Sequence, residues 1–308
     1  MLIFNQKTIK EKINFRGIGL HSGLKVNVNL IPAPPNHGIV FKRIDIKGKK
    51  NNYIEANFSN VTNTVLCTTI QNKSKVSIST IEHLMGALYG ENIDNLLIEV
   101  DAPELPILDG SAKEFVNKIK KTGFKNYDTP KKYIKVLKEF KHQVKEKFIK
   151  IEPCENDLIV DFEIIYKNFK IGNQRQKISL SKDNLSKIYN ARTFCLYEDI
   201  DKVKQMGLGK GGSLENALVV KDNKILNSEG LRDANEFVMH KILDCMGDLF
   251  LSKYKIFGKV TCSQGGHKLT NEFLRRFFDK KENFSLVEFK EKELPNISSY
   301  NDSLAAIA

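Results

Sequence analysis

The stretch EFVMHKILDCMGDL, Glu236 to Leu249, decides how the chain is read, because it has the composition of a buried helix yet carries a histidine, a lysine and two aspartates. At about 100° per residue, His240, Asp244 and Asp248 fall within an arc of about 80°, while Val238, Met239, Ile242, Cys245, Met246 and Leu249 gather on the other side. One stripe is core and the other is polar. Taken alone, a His-x-x-x-Asp pair more often marks a solvated helix face than a ligand pair, so the rest of the chain must supply the reason for it.

The 308 residues are 41% hydrophobic and 28% charged, a globular composition with length for two cores. No apolar run approaches the roughly 18 residues needed to span a bilayer, and the start, MLIFNQKTIKEK, turns charged too soon for a leader. Five scattered cysteines without a C-x-x-C pair read as reduced thiols, and the chain is expected to be cytoplasmic. The net charge of +12 raises a nucleic-acid reading, but the basic residues are spread along the whole length without a nucleic-acid motif, so no nucleic-acid partner is expected. With 42 lysines against 7 arginines, the arginines that remain are informative. Arg43, Arg192 and Arg232 lie in motif-rich stretches where a planar fork does what a lysine cannot.

Strand-like runs LKVNVNLI, GIVFKR and NLLIEV alternate in the first half with helices expected near 80–89 and 112–121. The second half repeats the plan: strands KYIKVLKEF, KFIKIEP and LIVDFEIIY, a helix near 181–190, a Gly-rich segment, the strand NALVV, a helix at 234–251 and the strand KVTCS. Polar, proline-containing KNYDTPKK, Lys125 to Lys132, places a boundary between two α+β domains of similar plan, 1–127 and 128–308.

A second histidine with an acid beside it, Glu82-His83, lies in the first turn of the helix in STIEHLMGALYG, where Ser79-x-x-Glu82 also reads as a capping box. A third, His267, follows a strand and two glycines, and on its own would be a loop histidine. Together these pieces fit a catalytic zinc site. Such a site takes three protein ligands and leaves a fourth position open; His240 and Asp244 at i and i+4 supply two, and His83 the third. Glu82 is then placed to be the general base, and a protonated His267, oriented by Asp248, the acid for the departing amine. The spacing of Gly207, Gly209 and Gly212 lacks the strand before and the helix after that a dinucleotide site needs, so the segment reads as a loop. Asp109 and Ser111 of LPILDGSAKEF read as caps of the helix that follows.

The motifs GIGLHSG, STIEHLMGAL, IDN, LPILDGSA, ARTF, GGSLENA, NSEGLR, HKILD and GGH, running in order from Gly17 to His267, resemble the UDP-3-O-acyl-N-acetylglucosamine deacetylase family. The resemblance implies a zinc amidase of lipid A (lipopolysaccharide) synthesis that releases acetate from a UDP-linked, 3-O-(3-hydroxyacyl)ated N-acetylglucosamine. It also implies two α+β domains, each a sheet layer with helices and a small insert, the helices packed between the sheets. It puts one catalytic Zn2+ on His83, His240 and Asp244, with Fe2+ able to take the same ligands. It puts the base on Glu82 and the acid on His267 with Asp248 behind it. Thr193 becomes an oxyanion donor, Lys241 an active-site cation, and the segment from Phe194 an apolar passage for the acyl chain, offering Leu196, Ile200, Val203, Met206 and Leu208. Looser matches put a phosphate on Lys147 and uracil on Tyr166. The chain departs from the family pattern at Gln264-Gly265, where Lys-Ser is usual, at Cys195, where glycine is usual, and at Met239 before HK, where arginine is usual. Two other readings stay open: a zinc amidase for another N-acyl sugar or peptide, and a basic anion-binding protein. Transient contact with the inner-membrane surface is a further expectation. The apolar tail NDSLAAIA is read as a handle for an ATP-dependent protease.

Overall fold

The computed structural model describes residues 4–47 and 51–289, so the C-terminal tail and the protease handle read into it lie outside the described residues. Alternation of apolar and polar residues builds the first sheet. In Lys25–Pro32, Val26, Val28 and Leu30 point into the core while Asn27 and Asn29 stay half-buried, the period of a strand covered on one face. Its five strands lie in the order Ile13–Ile18, Lys25–Pro32, Leu96–Val100, Ile39–Arg43, Tyr53–Glu55. A second sheet of seven strands is drawn wholly from residue 132 onward. At its centre Lys255–Ser263 runs parallel to Lys132–Val136 and Leu158–Ile165 and antiparallel to Lys147–Glu152. Each half also holds a small three-stranded sheet: Val61–Asn63, Thr69–Gln71 and Ser77–Ile78 in the first, Phe194–Leu196, Leu218–Lys221 and Lys224–Ile225 in the second. The fold is α+β.

Six α-helices occur among the described residues: α1 Glu82–Gly90, α2 Lys113–Thr122, α3 Ser186–Asn190, α4 Ile200–Gln205, α5 Glu236–Leu249 and α6 His267–Asp279. Helix α2 buries Phe115, Val116 and Ile119 and lies on Ile13–Ile18, with the rings of Phe15 and Phe115 4.9 Å apart. Helices α5 and α6 lie on strands of the seven-stranded sheet, and α1 packs against α5. Their approach is close because two glycines permit it. A Cβ on Gly247 of α5 would come within 2.1 Å of the Glu82 carbonyl oxygen, and one on Gly86 of α1 within 2.7 Å of the Leu243 side chain. Leu84, Leu88, Ile242, Leu243, Met246 and Leu249 are fully buried around that contact, each contributing about 1.5–3 kcal/mol by its burial.

Several local expectations are revised. The polar stretch at 125–132, where the domain boundary is placed, is not without regular structure: Phe124–Pro130 is a strand paired antiparallel with Asn5–Ile9, because a segment with no periodicity of its own takes its conformation from a partner more than a hundred residues away. The helix expected at 181–190 is only Ser186–Asn190. The capping box fails: the residue before α1 is Ile81, no side chain caps the helix, and the Glu82 carboxylate points elsewhere. His267 is no loop residue but the first residue of α6. Asp109 bonds Ser111 and pins Arg232 at 2.9 Å, and only the Ser111 hydroxyl accepts from the first amide of α2, at 3.2 Å.

Candidate active site

The polar stripe of α5 is not solvated. All of α5 except Lys241 is buried, His240 at 2% and Asp244 and Asp248 at 4% exposure each, so the stripe is enclosed within the fold and does not lie on the surface. Buried polar groups must find partners, and two separate clusters supply them. In the first, His83 Nε2 lies 3.6 Å and His240 Nε2 3.5 Å from the same Asp244 oxygen, Oδ1. One ligand atom from each of the three residues lies within 4.8 Å of the others, the spacing at which a single metal ion bridges them. His240 Nδ1 donates to the Ala191 carbonyl at 3.0 Å, which turns the Nε2 lone pair toward Asp244. Burial, helped by the neighbouring His240, pushes the His83 imidazole down to about 3, and burial also lowers His240. Both rings are therefore neutral, the form a metal takes. Burial would raise the Asp244 carboxyl, but the positive charge beside it, the Lys241 ammonium, holds it well below the usual carboxylate range. Lys241 Nζ binds its Oδ2 at 2.6 Å, whereas Oδ1 is buried without any hydrogen-bond partner.

The second cluster shares α5 but has opposite electrostatics. His267 Nδ1 meets Asp248 Oδ2 at 2.8 Å, and His267 Nε2 stands 3.8 Å from Glu82 Oε1. Burial alone would lower the His267 pKa, but the carboxylates of Asp248 and Glu82 outweigh it and raise the value to about 9. Burial raises the Glu82 carboxyl to about 7. Thr68 ties these groups together: its hydroxyl donates to Asp248 Oδ1 at 2.6 Å and its backbone N–H to Glu82 Oε2 at 3.1 Å. Nothing in the sequence around Thr68 marks it, since its partner Asp248 is 180 residues away.

Both clusters open on a cavity of about 500 Å3 lined also by Thr193, Phe194, Tyr166 and Lys147. Thr193 is fixed by its own backbone, its N–H to the Gly110 carbonyl and its carbonyl to the Leu218 N–H, both 2.8 Å. Arg192 before it is buried, with Nε on Glu236 at 2.8 Å, Nη2 on the Gly230 carbonyl at 2.7 Å and Nη1 on Glu229. Tyr166 packs its ring edge against Phe194 at 5.7 Å, and Lys147 is exposed at the rim. A second, mostly apolar cavity of about 410 Å3 adjoins the first and shares Leu20, His21, Leu66, Thr193 and Phe194 with it. Of the residues expected along the apolar segment, Phe194, Ile200 and Val203 line it, while Leu196, Met206 and Leu208 do not; Leu214, Val219 and Leu226 take their place beside Cys195. Met206 is 57% exposed.

The profile of the UDP-3-O-acyl N-acetylglycosamine deacetylase family matches residues 6–279. The chain belongs to this family. Curated relatives agree along nearly the whole length. The UDP-3-O-acyl-N-acetylglucosamine deacetylase of Actinobacillus pleuropneumoniae serotype 3 is 40% identical over 294 residues, covering 94% of this chain and 95% of that protein. The protein of the same name from Vibrio campbellii is 39% identical with the same coverage, and that of Tolumonas auensis 38% identical over 97% of each chain. Among the described residues, no helix is long and apolar enough to cross a membrane.

Proposed function

We propose that this chain hydrolyses the N-acetyl amide of a UDP-linked 3-O-(3-hydroxyacyl)-N-acetylglucosamine, releasing acetate in lipid A synthesis, with one Zn2+ held by His83, His240 and Asp244. The observation that carries the metal site is Asp244 Oδ1, a buried carboxylate oxygen without a hydrogen bond that faces two neutral imidazole nitrogens. A carboxylate in that position is costly to leave unpaired, and a divalent cation is the partner that suits all three atoms. When bound, the ion acts as a Lewis acid that polarises an amide carbonyl and acidifies water; Fe2+ fits the same ligands.

The chain's own groups account for the protons. Glu82, beside His83, takes a proton from the attacking water. The Thr193 hydroxyl donates to the carbonyl oxygen as negative charge develops on it, and the Lys241 cation stands behind Asp244. As the C–N bond breaks, the amine takes its proton from His267 Nε2, whose other nitrogen Asp248 holds. The sugar lies in the larger cavity with its diphosphate toward Lys147 and uracil toward Tyr166, and the acyl chain runs into the apolar cavity from Phe194.

The division into 1–127 and 128–308 is supported by the two main sheets, one drawn from residues before 101 and the other from 132 onward. A cytoplasmic enzyme touching the inner-membrane surface as it takes up an acylated substrate follows from the same reading. The test is metal analysis of the purified protein together with acetate release from the UDP-acylglucosamine. A metal-free protein, or one releasing no acetate when loaded with Zn2+ or Fe2+, overturns the proposal.

A further inference from the structure

Arg192, Arg232 and Glu236 take no part in the chemistry above, yet they are joined in one network that ends beside the metal ligands. Glu236 is fully buried and Arg192 is 1% exposed. The Glu236 carboxylate accepts four bonds: Oε1 takes the Arg192 backbone N–H at 3.1 Å and Nε at 2.8 Å, and Oε2 takes Arg192 Nη2 at 3.2 Å and the Arg232 backbone N–H at 2.6 Å. The Arg192 fork also reaches the Gly230 carbonyl and Glu229, and Arg232 Nη1 donates to Asp109 Oδ2 at 2.9 Å and to the Asn190 carbonyl at 3.0 Å. A buried ion pair adds little net stability over apolar side chains of the same volume. What this one fixes is a geometry.

That geometry is the setting of a single peptide unit. Ala191, Arg192 and Thr193 lie between α3 and strand Phe194–Leu196, outside helix and sheet, so the shape of the segment depends on the bonds it makes. On either side the backbone is held by itself: the Ala191 N–H donates to the Ile188 carbonyl at 3.2 Å and the Thr193 N–H to the Gly110 carbonyl at 2.8 Å. The unit left between them carries the Ala191 carbonyl and the Arg192 N–H in one plane. Helix α5 grips both ends of that plane. His240 Nδ1 bonds the carbonyl at 3.0 Å, and Glu236, four residues earlier on the same helix face, accepts the N–H. Were the unit to turn, the carbonyl would leave His240 Nδ1, and the ring would lose the bond that sets its tautomer and its aim. We infer that Arg192 and Glu236 are positioning residues for the hydrolysis, which act through the Ala191–Arg192 peptide to hold His240 in the orientation of a metal ligand. The inference rests on the deacetylase reading of the site. It also explains why an arginine stands at 192 in a lysine-rich chain, since only the planar fork reaches Glu236, Gly230 and Glu229 together.

The test uses wild type, Arg192→Lys and Glu236→Gln as full-length, metal-loaded proteins. Lysine cannot reproduce the fork, and glutamine keeps the shape of Glu236 while it loses the charge and one acceptor. Each variant is expected to hold Zn2+ roughly 10–100-fold more weakly in competition with a chelator, and to lose kcat by a similar factor at saturating Zn2+, with KM within about twofold of wild type. Loaded with Co2+, both should show a visible absorption band shifted from that of wild type, because one ligand ring has turned. The double variant should be no worse than the poorer single one, since both cut the same link. A pair that is merely structural would lower thermal stability and leave zinc affinity, kcat and the Co2+ band unchanged; that result overturns the inference, as do losses that add in the double variant. If Arg192→Lys fails to fold, Glu236→Gln decides alone. Wild type that holds no metal and releases no acetate is a different result, in which the deacetylase reading fails and the inference falls with it.

Discussion

Asp244 and Asp248 sit one turn apart on the same buried helix, and each faces histidine, yet the two neighbourhoods drive histidine in opposite directions. Beside Asp244, His83 is held neutral, pushed down to about 3 by burial and by the second imidazole. Beside Asp248, His267 is pushed up to about 9 by two carboxylates that overcome burial. The difference lies in what else each aspartate touches. Asp244 is already engaged by the Lys241 ammonium and keeps one oxygen bare, whereas Asp248 gives one oxygen to Thr68 and the other wholly to His267. In the proposed function the neutral imidazole pair beside a bare carboxylate oxygen is the metal site, and the cationic imidazole with a committed carboxylate is the acid. On that proposal one helix face carries both halves of an amide hydrolysis, and each half can be broken separately.

The largest effect is expected on the metal half. His240→Ala or His83→Ala should lose stoichiometric metal and, with the several kcal/mol a metal contributes to the transition state, roughly 10³-fold or more in activity. Metal analysis and acetate release check both, and full occupancy in either variant would misplace the site. Next is the base: Glu82→Gln should keep its metal while losing about 10²–10⁴-fold in kcat. That split between occupancy and rate separates the base from its neighbouring ligand.

A third expectation uses the raised value of His267. An acid must carry its proton, so its contribution is complete at pH well below about 9 and is lost as pH rises through about 9. In Asp248→Asn the largest raising influence is removed, and the alkaline limb of the rate profile should move down toward the ordinary histidine range. His267→Gln should abolish that limb and lower the maximal rate by roughly 10²-fold. An alkaline limb in the same place in all three proteins would assign it to another group.

What the sequence made legible follows the range of the interactions. His240, Asp244 and Asp248 are found by helical period alone, because their relation is local. That the stripe is buried is not local: it depends on Gly247 and Gly86, which bring two helices far apart in the chain into near backbone contact. Glu82 shows the limit well. Its spacing from Ser79 satisfied a local rule, but the carboxylate instead joins His267 and the Thr68 amide across the fold. The alternation that revealed strand Lys25–Pro32 is absent from Phe124–Pro130, whose pairing with Asn5–Ile9 comes from tertiary contact. Thr68 was invisible as a functional residue because a threonine after a cysteine has no distinctive spacing.

The smallest expected effect is at Thr68, and it sharpens the contrast between the two aspartates most directly. If the acid half depends on Asp248 being held by its second oxygen, removing the Thr68 hydroxyl should loosen the Asp248 carboxylate and let it turn away from His267. Thr68→Val keeps the shape and the backbone N–H to Glu82 but leaves Asp248 Oδ1 without its 2.6 Å partner. Groups that orient a functional side chain in this way are worth roughly 10–100-fold, and the lower end is expected here because His267 still holds the other oxygen. The loss should fall on kcat with metal content unchanged, and Thr68→Ser, which restores the hydroxyl, should recover most of it. A purely structural role would lower thermal stability in the valine variant without this rescue of kcat. Equal rates for the valine and serine variants would therefore remove Thr68 from the acid half, and leave His267 to be held by Asp248 alone.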